Sequence, residues 1–295
     1  MSGASGLIGS ALVAHLDRGA HDVVRLVRLD PTEANEVRWD PGGGALDAGV
    51  LSGADAVVNL NGVSIGERRW SDDQKRRILD SRVSATELIA SRIAELAGAK
   101  PVFVSASAVG YYGDCGDEIL TEDVPPADDF LATVCRKWEA ATRAAADSGA
   151  RTVCLRTGVV LSSAGGLLER LSLPFKLGLG GRLGSGRQWM SWIGIADLVA
   201  VVEHVIADDS VSGPVNAVVP EPVTNSEFTV ALGKALHRPT LLPTPMPVLR
   251  AVYGRELVQA LMLASQRAVP ARLEAGGYRF RAPEIGAALA AALRS

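Results

Sequence analysis

Gly3, Gly6 and Gly9 stand three residues apart in Gly3-Ala-Ser-Gly-Leu-Ile-Gly9, ahead of a stretch with Leu12, Val13 and Leu16 on one helical side. That spacing lets a backbone turn tightly, approach a pyrophosphate and aim the free N–H groups of a helix start at its charge. The contacts expected from it are Gly3, Ser5, Gly6, Leu7 and Ile8. A turn feeding a helix with no ligand would read the same. Arg28 closes a short apolar run where an acid would read a ribose 2′-hydroxyl; an arginine suits a 2′-phosphate, because its planar fork pairs with phosphate oxygens. A solvated surface arginine is the alternative. Leu60-Asn61-Gly62, after another apolar run, would let the backbone pass close to adenine or ribose, or is a simple turn. NADP(H) is therefore the expected cofactor, ahead of NAD(H).

The elements that would position these residues read as βαβ units around a parallel sheet. Strands are predicted at Asp22–Arg28, Val37–Trp39, Ala56–Leu60, Val102–Ser105 and Thr152–Leu155. Helices are predicted over Thr86–Leu96, where Leu88, Ile89, Ile93 and Leu96 keep the 3.6-residue period, and from Phe130 through Trp138 to Ala146. The fold class is α/β, a doubly wound Rossmann sheet with helices on both faces and a smaller C-terminal substrate lobe. Residues 1–161 form the nucleotide domain and 162–238 a substrate lobe containing the loop Gly178–Arg187. Residues 239–295, opening with Pro239, Pro243, Pro245 and Pro247 and ending in a helix over Ala287–Leu293, form a small helical domain. Only Met1 and Ser2 precede Gly3, so the strand that should lead into the turn is missing. The expectation is that the natural chain begins several residues earlier.

Composition bounds the function. With 295 residues, 47% hydrophobic, 21% charged and a net charge of −3, nothing suggests nucleic acid or an anionic membrane as partner. No apolar run approaches the roughly 18 residues of a membrane span, and no signal peptide is visible; a cytoplasmic protein is expected. Cys115, Cys135 and Cys154, with four scattered histidines, show no metal-ligand spacing, so no metal is expected. Arg156, inside a strand, should pair with a carboxylate.

Gly3-Ala-Ser-Gly-Leu-Ile-Gly9, Asn59-Leu-Asn-Gly62, Ser105-Ala-Ser-Ala-Val-Gly-Tyr-Tyr-Gly113 and Trp192-Ile-Gly-Ile-Ala-Asp197 together resemble the extended short-chain dehydrogenase/reductases. Arg69-Trp70, Ser81-Arg82, Cys135-Arg-Lys-Trp-Glu139, Leu155-Arg-Thr-Gly-Val-Val-Leu161 and Leu236-His-Arg-Pro239 look more narrowly like a nucleoside-diphosphate-sugar epimerase-like subfamily. That subfamily carries a small C-terminal domain of unknown function, here including Gln266-Arg-Ala-Val-Pro270 and Gly277-Tyr-Arg-Phe280. The resemblance implies a Rossmann fold, NADP(H), and a small-molecule substrate such as a nucleotide sugar or related carbonyl compound; a homodimer is compatible with it.

It also implies a Ser that holds the substrate oxygen and a Tyr-x-x-x-Lys pair, since a phenol near pKa 10 needs help to move protons at neutral pH. Ser107 fits the serine. Placing Glu139 on the family's helix glutamate puts Leu131 at the Tyr position and Cys135 at the Lys position, and neither can do the work. Tyr111 or Tyr112 could replace the missing acid/base, or one packs beneath the loop while the other touches the cofactor or nothing. Cys135 is a thiol acid or a buried structural cysteine. Asp197 with Trp192 should order the substrate loop. Arg82, Arg187 and Gln188 could grip a substrate diphosphate, and each could equally be a surface side chain. Two function classes follow: an NADP-dependent oxidoreductase or epimerase, and an NADPH-binding sensor or regulator that kept the fold and lost the acid/base pair. A scaffold without any nucleotide is the third and weakest reading.

Overall fold

The computed structural model describes residues 1–19 and 21–294. Its centre is a parallel sheet whose strands are β1 (Arg25–Val27), β2 (Glu36–Arg38), β3 (Ala56–Asn59), β4 (Val102–Ala108), β6 (Thr152–Thr157) and β10 (Gly213–Ala217); β5 (Ile119–Leu120) lies outside it. Ser2 bridges Leu26 on one side and Asn59 on the other, so the order is β2, β1, Ser2, β3, β4, β6, β10. The slot of the strand expected before Gly3 is thus held by Met1 and Ser2, whose backbone bonds reach Leu26, Val58 and Leu60.

Alternation along the strands divides the core between the two sheet faces. Val58, Val102 and Val104 join Leu12 of α1 (Leu7–Arg18) and Leu198, Val201 and Val205 of α6 (Ile195–Ala207) in one cluster. Their neighbours Val57 and Phe103 point the other way, onto Ala85, Leu88, Ile89 and Ile93 of α2 (Asp72–Glu95). Burying each such aliphatic side chain stabilises by roughly 1.5–3 kcal/mol, the term that fixes strand register.

Several expected boundaries shift. α2 starts at Asp72, well before Thr86: Ser71 caps it by accepting from the Gln74 amide, and its first turns bury only Gln74 and Ile78 amid a polar sequence that hides the apolar period. The helix expected over 130–146 divides into α3 (Phe130–Ala140) and α4 (Arg143–Asp147). β1 is shorter than expected and leaves Arg28 beyond its end, whereas β4 runs on to Ala108 and takes in Ser107. The Gly-rich stretch 178–187 is a loop with one bridge, Leu183 to Thr244.

The C-terminal segment shares the main core. Leu273 of α10 (Ala271–Ala275) and Ala288, Leu289 and Ala292 of α11 (Ile285–Ala292) pack in the cluster that holds α1 and α6. It also contributes β12 (Arg267–Ala268), which pairs in parallel with β5. Asp197 is 2% exposed, and its carboxylate accepts from the amides of Arg281 and Ala282. This corrects the expectation that Asp197 orders the substrate loop; it fastens the C-terminal segment, beside a fully buried Trp192.

Candidate functional site

The glycine turn sits where the sheet order reverses, between β1 and β3, at the carboxyl edge where open α/β sheets take ligands. Gly3 has φ +71°, and a Cβ there would lie 2.7 Å from the Leu60 carbonyl carbon and oxygen. At Gly9 a Cβ would lie 2.1 Å from the Gly3 oxygen, so α1 packs directly on the turn. Gly6 is the N-cap of α1 with no side-chain cap and no acid in the first turn. The amides of Leu7, Ile8 and Gly9 find no acceptor among the described residues, and the exposed Ser5 flanks them. The arrangement fits a diphosphate: unspent donors, a positive helix end and backbone that only glycine allows so close.

Around this turn the other expected cofactor residues share the same edge. Leu60 and Asn61 abut Gly3, and Asn61 is held by its amide to Asn59 Oδ1 (3.2 Å) and by Nδ2 to the Ser81 carbonyl (3.0 Å). Arg28 is exposed and forms no ion pair among the described residues, whereas Arg38 on the next strand is engaged with Asp30 at 2.6 Å. Arg82 lies against Gly62, its guanidinium over the Trp138 ring at 5.0 Å; burial pulls its pKa down to about 10.

At the end of β4, Ser107 Oγ donates to Glu139 Oε1 at 2.7 Å. Glu139 is held by a two-pronged pair from Arg156, Nε to Oε1 and Nη2 to Oε2, each 2.9 Å. Ser107 and Arg156 are register partners on β4 and β6, and Glu139 rises from α3 to meet both. Desolvation opposes the charge of Arg156, which is 3% exposed, but the bonds and charge of Glu139 prevail and raise its pKa. The expected carboxylate partner of Arg156 is thus Glu139.

Tyr112 does not reach the cleft, which corrects its assignment as an acid/base. It is 1% exposed, donates to Asn216 Oδ1 at 2.7 Å and accepts from Arg156 Nη1 at 3.0 Å. Burial pushes its phenol up to about 12 against the pull of Arg156. Tyr111 is half-buried, its ring face 3.5 Å from the Arg156 guanidinium carbon, and its hydroxyl has no partner among the described residues. Leu131 and Cys135 line α3 beneath this loop. Cys135 is buried, its thiol raised to about 12 by burial and by Glu139, and bonds the Ala108 carbonyl, so it serves packing and not acid chemistry.

Two of the three expected substrate residues part company. Arg187 is exposed and makes no side-chain bond among the described residues. Gln188 is buried with both donors of its side-chain amide spent on the Leu183 and Met262 carbonyls, a tie between the Gly-rich loop and the C-terminal segment that leaves no donor for a substrate diphosphate. Sequence reasoning missed a cavity of about 780 Å³ next to the Tyr111 loop, lined by Trp70, Asp114, Asp129, Phe130, Arg250 and Arg255 among others. Trp70 and Phe130 meet edge to face at 5.0 Å. Its cations come from the C-terminal segment, far in sequence from the Trp70 and Phe130 rings.

The profile of the NAD dependent epimerase/dehydratase family matches residues 1–218, and that of a domain of unknown function, DUF1731, matches residues 244–292. Epimerase family protein MT2273 of Mycobacterium tuberculosis (strain CDC 1551 / Oshkosh) is 48% identical over 289 residues, covering 98% of this chain and 95% of its own. The crystal structure of human epimerase family protein SDR39U1 (isoform 2) with NADPH superposes with a TM-score of 0.90 at 36% identity, covering 100% of this chain and 98% of the human one. A nucleoside-diphosphate sugar epimerase from Corynebacterium glutamicum gives a TM-score of 0.81 at 42% identity, over 99% of this chain and 57% of that one.

Proposed function

Because the chain belongs to the NAD dependent epimerase/dehydratase family, we propose that it binds NADP(H) and acts as an oxidoreductase or epimerase on a nucleotide sugar or related carbonyl compound. The observation that carries this reading is the row of unspent amides at Leu7, Ile8 and Gly9 over a turn that admits only glycine. The relative solved with NADPH supports the choice of coenzyme, as does an Arg28 with no carboxylate partner among the described residues.

The coenzyme supplies or removes a hydride; the protein binds, orients and handles the proton. Leu7, Ile8 and Gly9 would hold the diphosphate, and Arg28 the 2′-phosphate. A serine hydroxyl has one proton, and Ser107 gives its own to Glu139. Toward the cleft it therefore offers lone pairs, which suit a substrate O–H more than a carbonyl. Glu139, paired with Arg156, is then the acceptor toward which that proton can move. The cavity beside the Tyr111 loop offers aromatic faces for a sugar ring and Arg250 and Arg255 for a phosphate.

A second reading, an NADPH-responsive sensor, is favoured by one fact: Tyr112 is buried and Leu131 and Cys135 stand where a tyrosine and lysine would be needed. Calorimetry with NADPH and NADH on the protein and its Arg28→Ala variant tests the shared premise. Wild type should prefer NADPH, and the variant should lose roughly tenfold or more for NADPH alone; affinity for neither coenzyme refutes it. A screen of nucleoside-diphosphate sugars that follows NADPH absorbance then separates enzyme from sensor.

A further inference from the structure

The end of α5 (Gly166–Lys176) and the chain after it run beside the stretch that leads into α8 (Met246–Tyr253). Arg238 Nε donates to the Lys176 carbonyl at 2.8 Å, the Thr244 amide donates to the Arg182 carbonyl at 3.0 Å, and Leu183 bridges Thr244 in parallel. Two ribbons, 176–183 and 238–244, are thereby tied side by side.

Their leucines stay in solvent. Leu177, Leu179, Leu241 and Leu242, with Leu173 at the end of α5, are 64% to 88% exposed. On α8, Val248 and Val252 stand one turn apart and each is 56% exposed, while Met246, Leu249 and Tyr253 on its opposite side are half-buried. That helix is apolar on two sides and covered on one. Of the twelve large aliphatic side chains exposed among the described residues, seven belong to these segments, so the exposure is a patch and not a scatter.

Charge is separated along the same chain. Arg170, Lys176, Arg182 and Arg187 lie between Glu169 and Asp197 with no acid among them, and Lys234, Arg238, Arg250 and Arg255 lie likewise between Glu227 and Glu256. All eight cations are exposed, and none forms an ion pair among the described residues. The net charge of −3 averages this separation away.

The chemistry of the patch selects what covers it. Neither segment has an exposed Phe, Tyr, Trp or Met, the anchors that protein interfaces favour. A second copy seated by the same face would set cations against cations. A layer of anionic lipid headgroups answers the charge, and projecting leucines reach the acyl boundary beneath it. No helix among the described residues is long and apolar enough to cross a membrane, so the contact is peripheral. We propose that this face docks reversibly on a membrane surface bearing anionic headgroups, with Leu177, Leu179, Leu241 and Leu242 entering the interface and Lys176, Arg182 and Arg238 supplying the attraction. No residue of the glycine turn takes part, so the proposal stands apart from the coenzyme reading.

The test is cosedimentation with vesicles of equal parts phosphatidylcholine and phosphatidylglycerol, and with vesicles of phosphatidylcholine alone. Wild type is compared with the double variant Leu177→Ser, Leu241→Ser, with Lys176→Glu and, as controls on exposed apolar and charged positions elsewhere, with Val230→Ser and Arg136→Glu. Melting temperatures confirm that each is folded. Wild type should sediment with the anionic vesicles and be released as NaCl rises to roughly 0.5 M. Partitioning should fall roughly tenfold or more in the leucine variant and roughly fivefold or more in Lys176→Glu, and stay unchanged in both controls. No binding to the anionic vesicles, equal binding to phosphatidylcholine alone, or binding that the patch variants retain overturns the proposal. So does a concentration-dependent dimer in analytical ultracentrifugation that the leucine variant abolishes, since a second copy would then own the face.

Discussion

Replacing Arg156 by methionine removes four hydrogen bonds at once: two to Glu139, one to the Tyr112 hydroxyl and one to the Glu122 carbonyl. Methionine fills similar space, so the main loss is electrostatic. The Glu139 side chain is 16% exposed and would keep only the Ser107 hydroxyl as partner. Breaking a buried pair by deleting one member costs about 3–5 kcal/mol, because the remaining charge is left uncompensated. At roughly 2–4 °C per kcal/mol for a chain near this size, the melting temperature should fall by roughly 6–20 °C. Adding Glu139→Gln removes the stranded charge while leaving an oxygen for Ser107, so the double variant should recover most of the loss. Urea unfolding at pH 7 on wild type, both singles and the double measures this as a coupling of roughly 2 kcal/mol or more. An Arg156→Met variant that loses under about 1 kcal/mol, or a double variant no more stable than it, would refute the claim that Arg156 and Glu139 are a coupled pair beneath Ser107.

Two further outcomes are expected. The Tyr112 phenol is raised from 10 to about 12, so its contribution is intact below pH 10 and is lost between pH 10 and 12, where the unfolded chain ionises first. Unfolding free energy measured from pH 9 to 11.5 should fall more steeply in wild type than in Tyr112→Phe; parallel curves would exclude the buried phenol as the linked group. Gly9→Ala has opposite signs in two accounts: helix propensity alone predicts a gain of about 0.8–1 kcal/mol, whereas a Cβ 2.1 Å from the Gly3 oxygen predicts destabilisation and loss of the NADPH-dependent melting shift. Thermal unfolding with and without NADPH decides between them.

The glycine turn and the strands were legible because both are local signals: a fixed spacing of one residue type, and short apolar runs. The polar start of α2 was not, since Asp72, Asp73, Arg76 and Arg77 are exposed and carry no period. Ser107, Glu139 and Arg156 each stand out singly in the sequence, yet their junction depends on Ser107 facing Arg156 across β4 and β6, a register no linear spacing records. The same reason hid the cavity, whose walls come from residues near 70, 114, 130 and 250–264. Tyr111 and Tyr112 differ by one position, and only the fold turns one inward onto Asn216.

The sharing of one core by Leu273, Leu289 and the Rossmann helices governs the order in which the molecule can be made. A nascent chain that has emerged only as far as β10 still lacks the pieces that cover α6 and pair with β5. Its sheet can assemble on the ribosome, but a patch over α6 stays open until the last-synthesised quarter arrives, which makes that interval the one in which a chaperone has surface to hold.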